Sequence, residues 1–337
     1  MKKIDSIVKS NFLKKIFIKI CRMAGFEIID QANFTAPTLE KNLNDTLSVP
    51  GKKSITIPLG QLKVTKNIKN LKVILRTCTS ELIMDQNKKR LFDDNKNQYT
   101  FRTLFSLLKS INEAQKIFNN TTFEVIVTDT NSNDNDVSKL KDILNSSNIK
   151  TKFTTVDLNN FKNITKPGYS NAKFANMANF YNSLLLAKNE ADDLVYFVED
   201  DYIHKTNTIS EMLFAYEKFY TLFKNDLILL PSDYPYLYAK DDATKIYLGE
   251  KTHWRLVDES LVTFMTSKDL VIKNFNKLEI MGKEWVDPWE KPLHDIYKTN
   301  PCLSPIPSLA IHCANINSIF GLSPNINWKK LWDENKI

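Results

Sequence analysis

The apolar residues of this chain change period several times, and each change marks an element. Over residues 2–24, Ile4, Val8, Phe12, Ile16, Ile20 and Met23 recur at near-helical spacing with lysines between them. That spacing predicts an amphipathic helix, and Gly25 is placed to stop it. Residues 30–70 are polar and punctuated by Pro37, Pro50, Gly51, Pro58 and Gly60, as in a linker or an extension wrapped round a core. From residue 71 a regular alternation begins. Runs rich in β-formers occupy 71–78, 123–128, 150–156, 194–198 and 227–230. Helical patterns occupy 101–118, 171–187 and 209–223. The last of these sets Ile209, Met212, Leu213, Tyr216, Phe219, Tyr220 and Phe223 on one face. After 231 the pattern loosens, and 261–265 and 307–312 are the remaining strands expected. Strands alternating with helices predict an α/β fold: a doubly wound, mostly parallel central sheet flanked by helices. The expected organisation is a basic helix over 1–25, an extension over 26–70, one main domain over 71–322 and a tail over 323–337.

Charge sharpens the reading of the first segment. The whole chain of 337 residues carries a formal +7, yet residues 1–22 hold seven Lys and Arg against Asp5 alone, a net +6, which leaves about +1 for everything else. A basic amphipathic helix suits an anionic membrane surface, or a docking site on the chain's own body or a partner. A nearly neutral main domain argues against nucleic acid as a ligand. No stretch of about 18 apolar residues is present, so no membrane span is expected. The four cysteines, Cys21, Cys78, Cys302 and Cys313, form no Cys-x-x-Cys pair and fit a reducing compartment. The expected location is therefore cytoplasmic, peripheral on the inner membrane face if the helix binds lipid. Only 7 glycines occur, and neither a Gly-x-Gly-x-x-Gly nor a Walker loop is among them. This disfavours dinucleotide-dependent redox chemistry and P-loop hydrolysis.

The candidate chemistry lies at residues 194–201, Leu-Val-Tyr-Phe-Val-Glu-Asp-Asp, where an apolar strand runs into three carboxylates. Three acids at a strand's carboxyl end repel one another unless a cation sits among them, and open α/β sheets bind ligands at that end. Oxygen ligands of this kind suit Mg²⁺ or Mn²⁺ shared with substrate phosphates. In extended backbone Glu199 and Asp201 would face one ligand while Asp200 turns away, unless the chain turns. His312, closing a second β-type run, is placed to add a metal-ligating nitrogen. His204 and His253 have no evident partner and are expected on the surface.

A strand ending in an Asp-x-Asp-type triplet, about 110 residues before a Pro-Ser-Leu-x-x-His strand end, resembles the GT-A class of nucleotide-sugar glycosyltransferases. The preceding order is similar too: Val73-Ile-Leu-Arg-Thr, then Val125-Ile-Val-Thr-Asp129, then Gly168-Tyr-Ser-Asn171. The resemblance covers residues 71–320 and departs at Glu199, which stands where an aspartate is usual. It implies a metal-dependent transfer of sugar from a nucleotide-sugar donor to a glycan or lipid-linked acceptor, inverting at the sugar carbon. It implies that Arg76, Thr77, Asp129, Asn171, Glu199 and Asp200 meet the donor, and that Asp201, Glu199 and His312 hold Mn²⁺ or Mg²⁺; Arg255, beside Trp254, is a further expected donor contact because an arginine can meet a phosphate. An inverting enzyme needs a carboxylate base near the acceptor. Residues 284–298 offer Asp295, Glu290 and Asp287, and Asp295 best matches the family position, with His294 where a glutamate would stand. Tyr234, Tyr236, Tyr238, Trp254, Trp285 and Trp289 supply rings on which an acceptor sugar could stack, or serve as ordinary packing. Two rivals stay open. One is a degenerate fold that binds without catalysis. The other is a nucleotidyltransferase, although no Gly-rich, basic loop follows Leu75.

Overall fold

The computed structural model describes residues 12–13, 16–26, 54–57, 60–80, 90, 92–239, 243–314 and 318–337. The chain divides into two compact units, Met1–Lys63 and Val64–Ile337. In the first, helix α1 covers residues 12–13 and 16–23, and Gly25 follows it with a positive φ of 86°. The left-handed backbone there is one glycine adopts readily, which is why the helix stops where the sequence predicted. Strands β1 (Ser54–Ile57) and β2 (Gly60–Lys63) form an antiparallel hairpin. The rest of the expected amino-terminal helix, and most of the expected extension, lie outside the described residues.

The second unit is built on a nine-stranded sheet. Its first half alternates strictly: β3 (Asn70–Thr77), α2 (Lys96–Ile117), β4 (Thr122–Asp129), α3 (Asp134–Asn145), β5 (Lys150–Thr155), α4 (Asn171–Glu190) and β6 (Leu194–Val198). Next come β7 (Tyr202–His204), α5 (Thr208–Phe223), β8 (Ile228–Leu229), β9 (Ile246–Leu248), β10 (His253–Leu256) and β11 (Phe264–Ser267). Four short helices follow: α6 (Lys268–Lys273), α7 (Phe275–Leu278), α8 (Ile280–Lys283) and α9 (Lys291–Tyr297). The chain closes with β12 (Cys302–Ile306), β13 (Ala310–His312) and α10 (Trp328–Asp333).

The sheet order is β5-β4-β3-β6-β11-β8-β12-β10-β9. From the pairings, all strands but β11 and β10 run the same way, so the mostly parallel sheet expected from the sequence is the one that forms. Side-chain alternation explains the layers. In β6, Leu194, Tyr196 and Val198 enter one buried cluster with α2, α3 and α5, while Val195 and Phe197 enter another with α4 and α6. A strand covered on both faces needs an unbroken apolar run, and β6 has one.

Several expectations shift. Helix α2 starts five residues before the first apolar position of its pattern, because its first turn is polar. The strand expected over 307–312 shortens to β13, which pairs with β7 and not with the main sheet. His204, expected at the surface, is buried, and its Nε2 lies 2.8 Å from the Tyr196 hydroxyl. The segment expected to be a tail carries α10, whose Trp332 is buried, stacks on Phe92 and lies under the Arg102 guanidinium.

Candidate functional site

The chain winds outward from β3 through β4 to β5, then returns through α4 to lay β6 on the other side of β3. That reversal opens a crevice at the carboxyl ends of β3 and β6. A cavity of about 490 Å³ lies there, lined by Arg76 and Thr77 from β3, Lys96 from α2, Asn176 and Asn179 from α4, the acid triplet, residues 285 and 287–290, and His312.

All three acids line the cavity. Continued extension would have turned Asp200 away, but the chain turns at residues 200–201 on its way into β7. Each acid meets its own cation. Glu199 Oε1 lies 3.2 Å from Arg76 Nη2, and its Oε2 accepts the Thr263 hydroxyl at 3.2 Å. Asp200 Oδ2 accepts the Cys78 amide at 3.2 Å and the Thr100 hydroxyl at 3.0 Å, with Lys96 Nζ 3.6 Å away. Asp201 Oδ2 lies 3.3 Å from His312 Nε2 and 3.9 Å from Arg90 Nη2.

The small β7–β13 ladder sets the last pair. His312 is registered opposite Tyr202, the residue after Asp201, and its ring stacks on the Tyr202 ring with centroids 4.7 Å apart. His312 Nδ1 donates to the Phe320 carbonyl at 2.6 Å. Burial opposes ionisation of Asp201, but His312 first, then Arg90 and Lys96, outweigh it and hold the carboxyl down to about 2. Burial likewise opposes a charged His312, yet Asp201 beside it raises its pKa above the ordinary imidazole range. Burial raises Glu199, and Arg76 offsets this only in part.

These residues fit a divalent ion at one place. Asp201 Oδ2 and His312 Nε2 converge, and the Phe320 carbonyl holds the other ring nitrogen, so Nε2 would be the ligating atom once an ion displaces the proton it directs at Asp201. Among the described residues no cluster of three or more His, Cys, Asp or Glu side chains is arranged to hold a metal. An ion here would complete its shell from substrate oxygens and water, as Mg²⁺ commonly does. Glu199, expected as a further ligand, is instead engaged by Arg76 and Thr263.

The three candidate bases separate cleanly. Asp295 lies outside the cavity lining, bonded to Lys291 at 2.9 Å and Lys298 at 2.6 Å, and these lysines hold its carboxyl down to about 2. A carboxylate so held is a poor proton acceptor, unlike the one the family position calls for. Asp287 lines the cavity but is exposed. Glu290, the residue that opens α9, lines it too, and burial, with Glu199 adding to it, pushes its carboxyl up to about 7.

Three donor-side expectations also move. Arg255 is buried, forms an ion pair with Asp233 and lies over the Tyr238 ring, outside the cavity lining. It stands on β10, four strands from β6, which is about 19 Å at sheet spacing, too far for a shared ligand group. Asn171 is exposed at the first position of α4, and the lining from that helix is Ala172, Ala175, Asn176 and Asn179. Asp129, expected to meet the donor, is buried at the end of β4 outside the cavity lining and accepts from the Thr77 hydroxyl at 2.6 Å and the Ser132 hydroxyl at 2.5 Å. Burial raises its pKa above the usual carboxylate range.

Sequence reasoning missed Arg90, Lys96, Asn176 and Asn179. Lys96 was hidden by placing the start of its helix at residue 101. Asn179 had a readable signal, a polar residue on the core side of an apolar helix; its amide donates to the Thr128 carbonyl at 2.8 Å. Of the aromatic candidates, Trp285 and Trp289 line the cavity and stack with centroids 5.2 Å apart and planes 5° from parallel. Trp254 is core, fully buried and edge-on to Phe219.

No family model matches the chain, and no curated protein matches it. Solved structures similar to it include S. aureus TarS 1–349, at 15% identity and a TM-score of 0.38 over 70% of this chain and 57% of that one. UTP-bound UGPase from Acinetobacter baumannii has 9% identity and a TM-score of 0.40 over 74% of this chain and 90% of that one. A galactosyltransferase, LgtC, in complex with donor and acceptor sugar analogs has 11% identity and a TM-score of 0.32 over 67% and 66%. The chain thus spans little more than half the length of the TarS fragment. At such scores none of these likenesses assigns a function.

Proposed function

We propose that the chain is a metal-dependent glycosyltransferase, moving a sugar from a nucleotide-sugar donor to a glycan or lipid-linked acceptor with inversion at the sugar carbon. The observation that carries this reading is Glu290: a carboxyl raised to about 7 in the same cavity as Glu199, Asp200 and Asp201. A base poised near neutral pH is half ionised, yet strong enough to take a hydroxyl proton in the transition state.

In this reading the Glu290 carboxylate accepts the acceptor's hydroxyl proton as the new oxygen–carbon bond forms. The bond from that carbon to the diphosphate oxygen breaks, and its electron pair leaves with the diphosphate. Asp201 and His312 would hold Mn²⁺ or Mg²⁺, whose charge stabilises the leaving diphosphate. The local charge balance supports such a requirement, because Arg76, Lys96 and Arg90 are already opposed by the acid triplet. Thr77, whose hydroxyl the buried Asp129 holds by a hydrogen bond at the ends of β3 and β4, is the proposed contact to the ribose or base. The stacked Trp285–Trp289 pair offers a flat apolar wall for an acceptor sugar ring. The four cysteines, with no Cys-x-x-Cys pair among them, accord with a cytoplasmic setting.

The test is a panel of nucleotide-sugars with and without Mn²⁺, read by thermal shift and by donor turnover. One donor should stabilise the protein only with metal, as ligand linkage requires, and should be consumed. Metal-dependent nucleotide binding with no turnover for any acceptor would make the chain a binding protein. Release of diphosphate from a nucleoside triphosphate with a sugar phosphate would make it a nucleotidyltransferase.

A further inference from the structure

Half of the large apolar side chains exposed among the described residues fall within one short stretch of α1 and its end. Phe12, Leu13, Ile16, Phe17, Ile20, Met23 and Phe26 are each between 41% and 74% exposed, while the other seven are scattered from Ile117 to Ile337. At 100° per residue, positions 12, 13, 16, 17, 20 and 23 fall within an arc of about 140°. Lys19 and Arg22 lie outside that arc, and the sequence between residues 12 and 26 contains Lys14, Lys15, Lys19 and Arg22 with no acid. Among the described residues no helix is long and apolar enough to cross a membrane.

We infer that α1 is a docking surface for an anionic phospholipid bilayer, lying in the plane of the interface with its apolar arc among the acyl chains. Charge decides the occupant. A second copy would cover the arc with its own, but Lys19 at the arc's margin would then face like charge along the seam, and the sequence between residues 12 and 26 holds no acid to pair with it. A surface of anionic headgroups supplies the opposite charge and, beneath it, the apolar medium the arc requires. The inference is independent of the transfer reaction proposed above.

The experiment is flotation of the full chain with vesicles of phosphatidylglycerol and phosphatidylcholine, against phosphatidylcholine alone. Binding should require the anionic lipid and weaken as salt is raised. Lys19→Glu with Arg22→Glu should weaken binding at least about 30-fold, two basic contacts being lost. Phe17→Glu with Ile20→Glu should weaken it more than about 100-fold. Both variants should keep the wild-type unfolding temperature, which shows that the main unit is intact. Equal binding to both vesicle types, or undiminished binding by Phe17→Glu with Ile20→Glu, would overturn the inference. So would a wild-type dimer in light scattering that the same pair of changes dissolves, since the face would then cover a second copy.

Discussion

His312 Nε2 lies 3.3 Å from Asp201 Oδ2 while its Nδ1 donates to the Phe320 carbonyl, so one imidazole is aimed at the acid from across the β7–β13 ladder. The pair has opposite pKa shifts, Asp201 held down to about 2 and His312 raised. Asp201 therefore contributes stability that is present above its unfolded value and lost as pH falls towards about 2. His312 contributes stability that is present below its unfolded value and lost as pH rises through its raised folded value. With no metal bound, urea midpoints of the wild type should fall at both ends of this range. His312→Gln should flatten the alkaline fall, and an unchanged alkaline limb would exclude the pair as its cause.

Asp201→Ala should abolish the stabilisation that Mn²⁺ adds to nucleoside diphosphate binding, because one of the two convergent donors is gone. Calorimetry with and without metal measures it directly. Undiminished metal-linked binding would move the ion elsewhere.

Glu290→Gln should lower turnover by about 10²–10⁴ while donor affinity holds, the range for removing a general base. In the wild type, turnover should rise with pH and level off above about 7, since the base must be ionised. Asp295→Asn should leave turnover within about twofold, since an exposed carboxylate tied to two surface lysines contributes little. Reversed results for the two variants would return the base to Asp295.

Arg255→Met should destabilise the fold by about 3–5 kcal/mol without touching donor affinity, because it strands the buried Asp233 carboxylate. Adding Asp233→Leu should recover much of the loss, by removing the orphaned charge. Denaturant unfolding of the single and double variants decides this, and weakened donor binding by Arg255→Met would place the guanidinium back at the site.

Much of the fold was legible in the chain because buried strands leave a pattern that survives without neighbours. Residues 194–198 read as a strand and are one, since both faces of β6 must be apolar. Helices α4 and α5 also begin within one residue of where their patterns put them. β9 and β10 were not visible because strands of three and four residues carry no period long enough to read, and β12 because Ser304 and Pro305 interrupt its apolar run. The site was half legible: a strand running into acids marks a sheet edge whatever lies beside it, and Glu199, Asp200, Asp201 and His312 followed from that.

By itself, then, the sequence determined the parallel half of the sheet, the acid-bearing edge and the basic amphipathic segment, because each is encoded in local period and charge. Only the tertiary structure decided the surroundings of each carboxylate. Asp295 and Glu290 are five residues apart and chemically near alike. Asp295 is held by two lysines outside the cavity and Glu290 is half-buried in its lining, so their pKa values part from about 2 to about 7. Desolvation and neighbouring charge set that difference, and both depend on what the fold brings close.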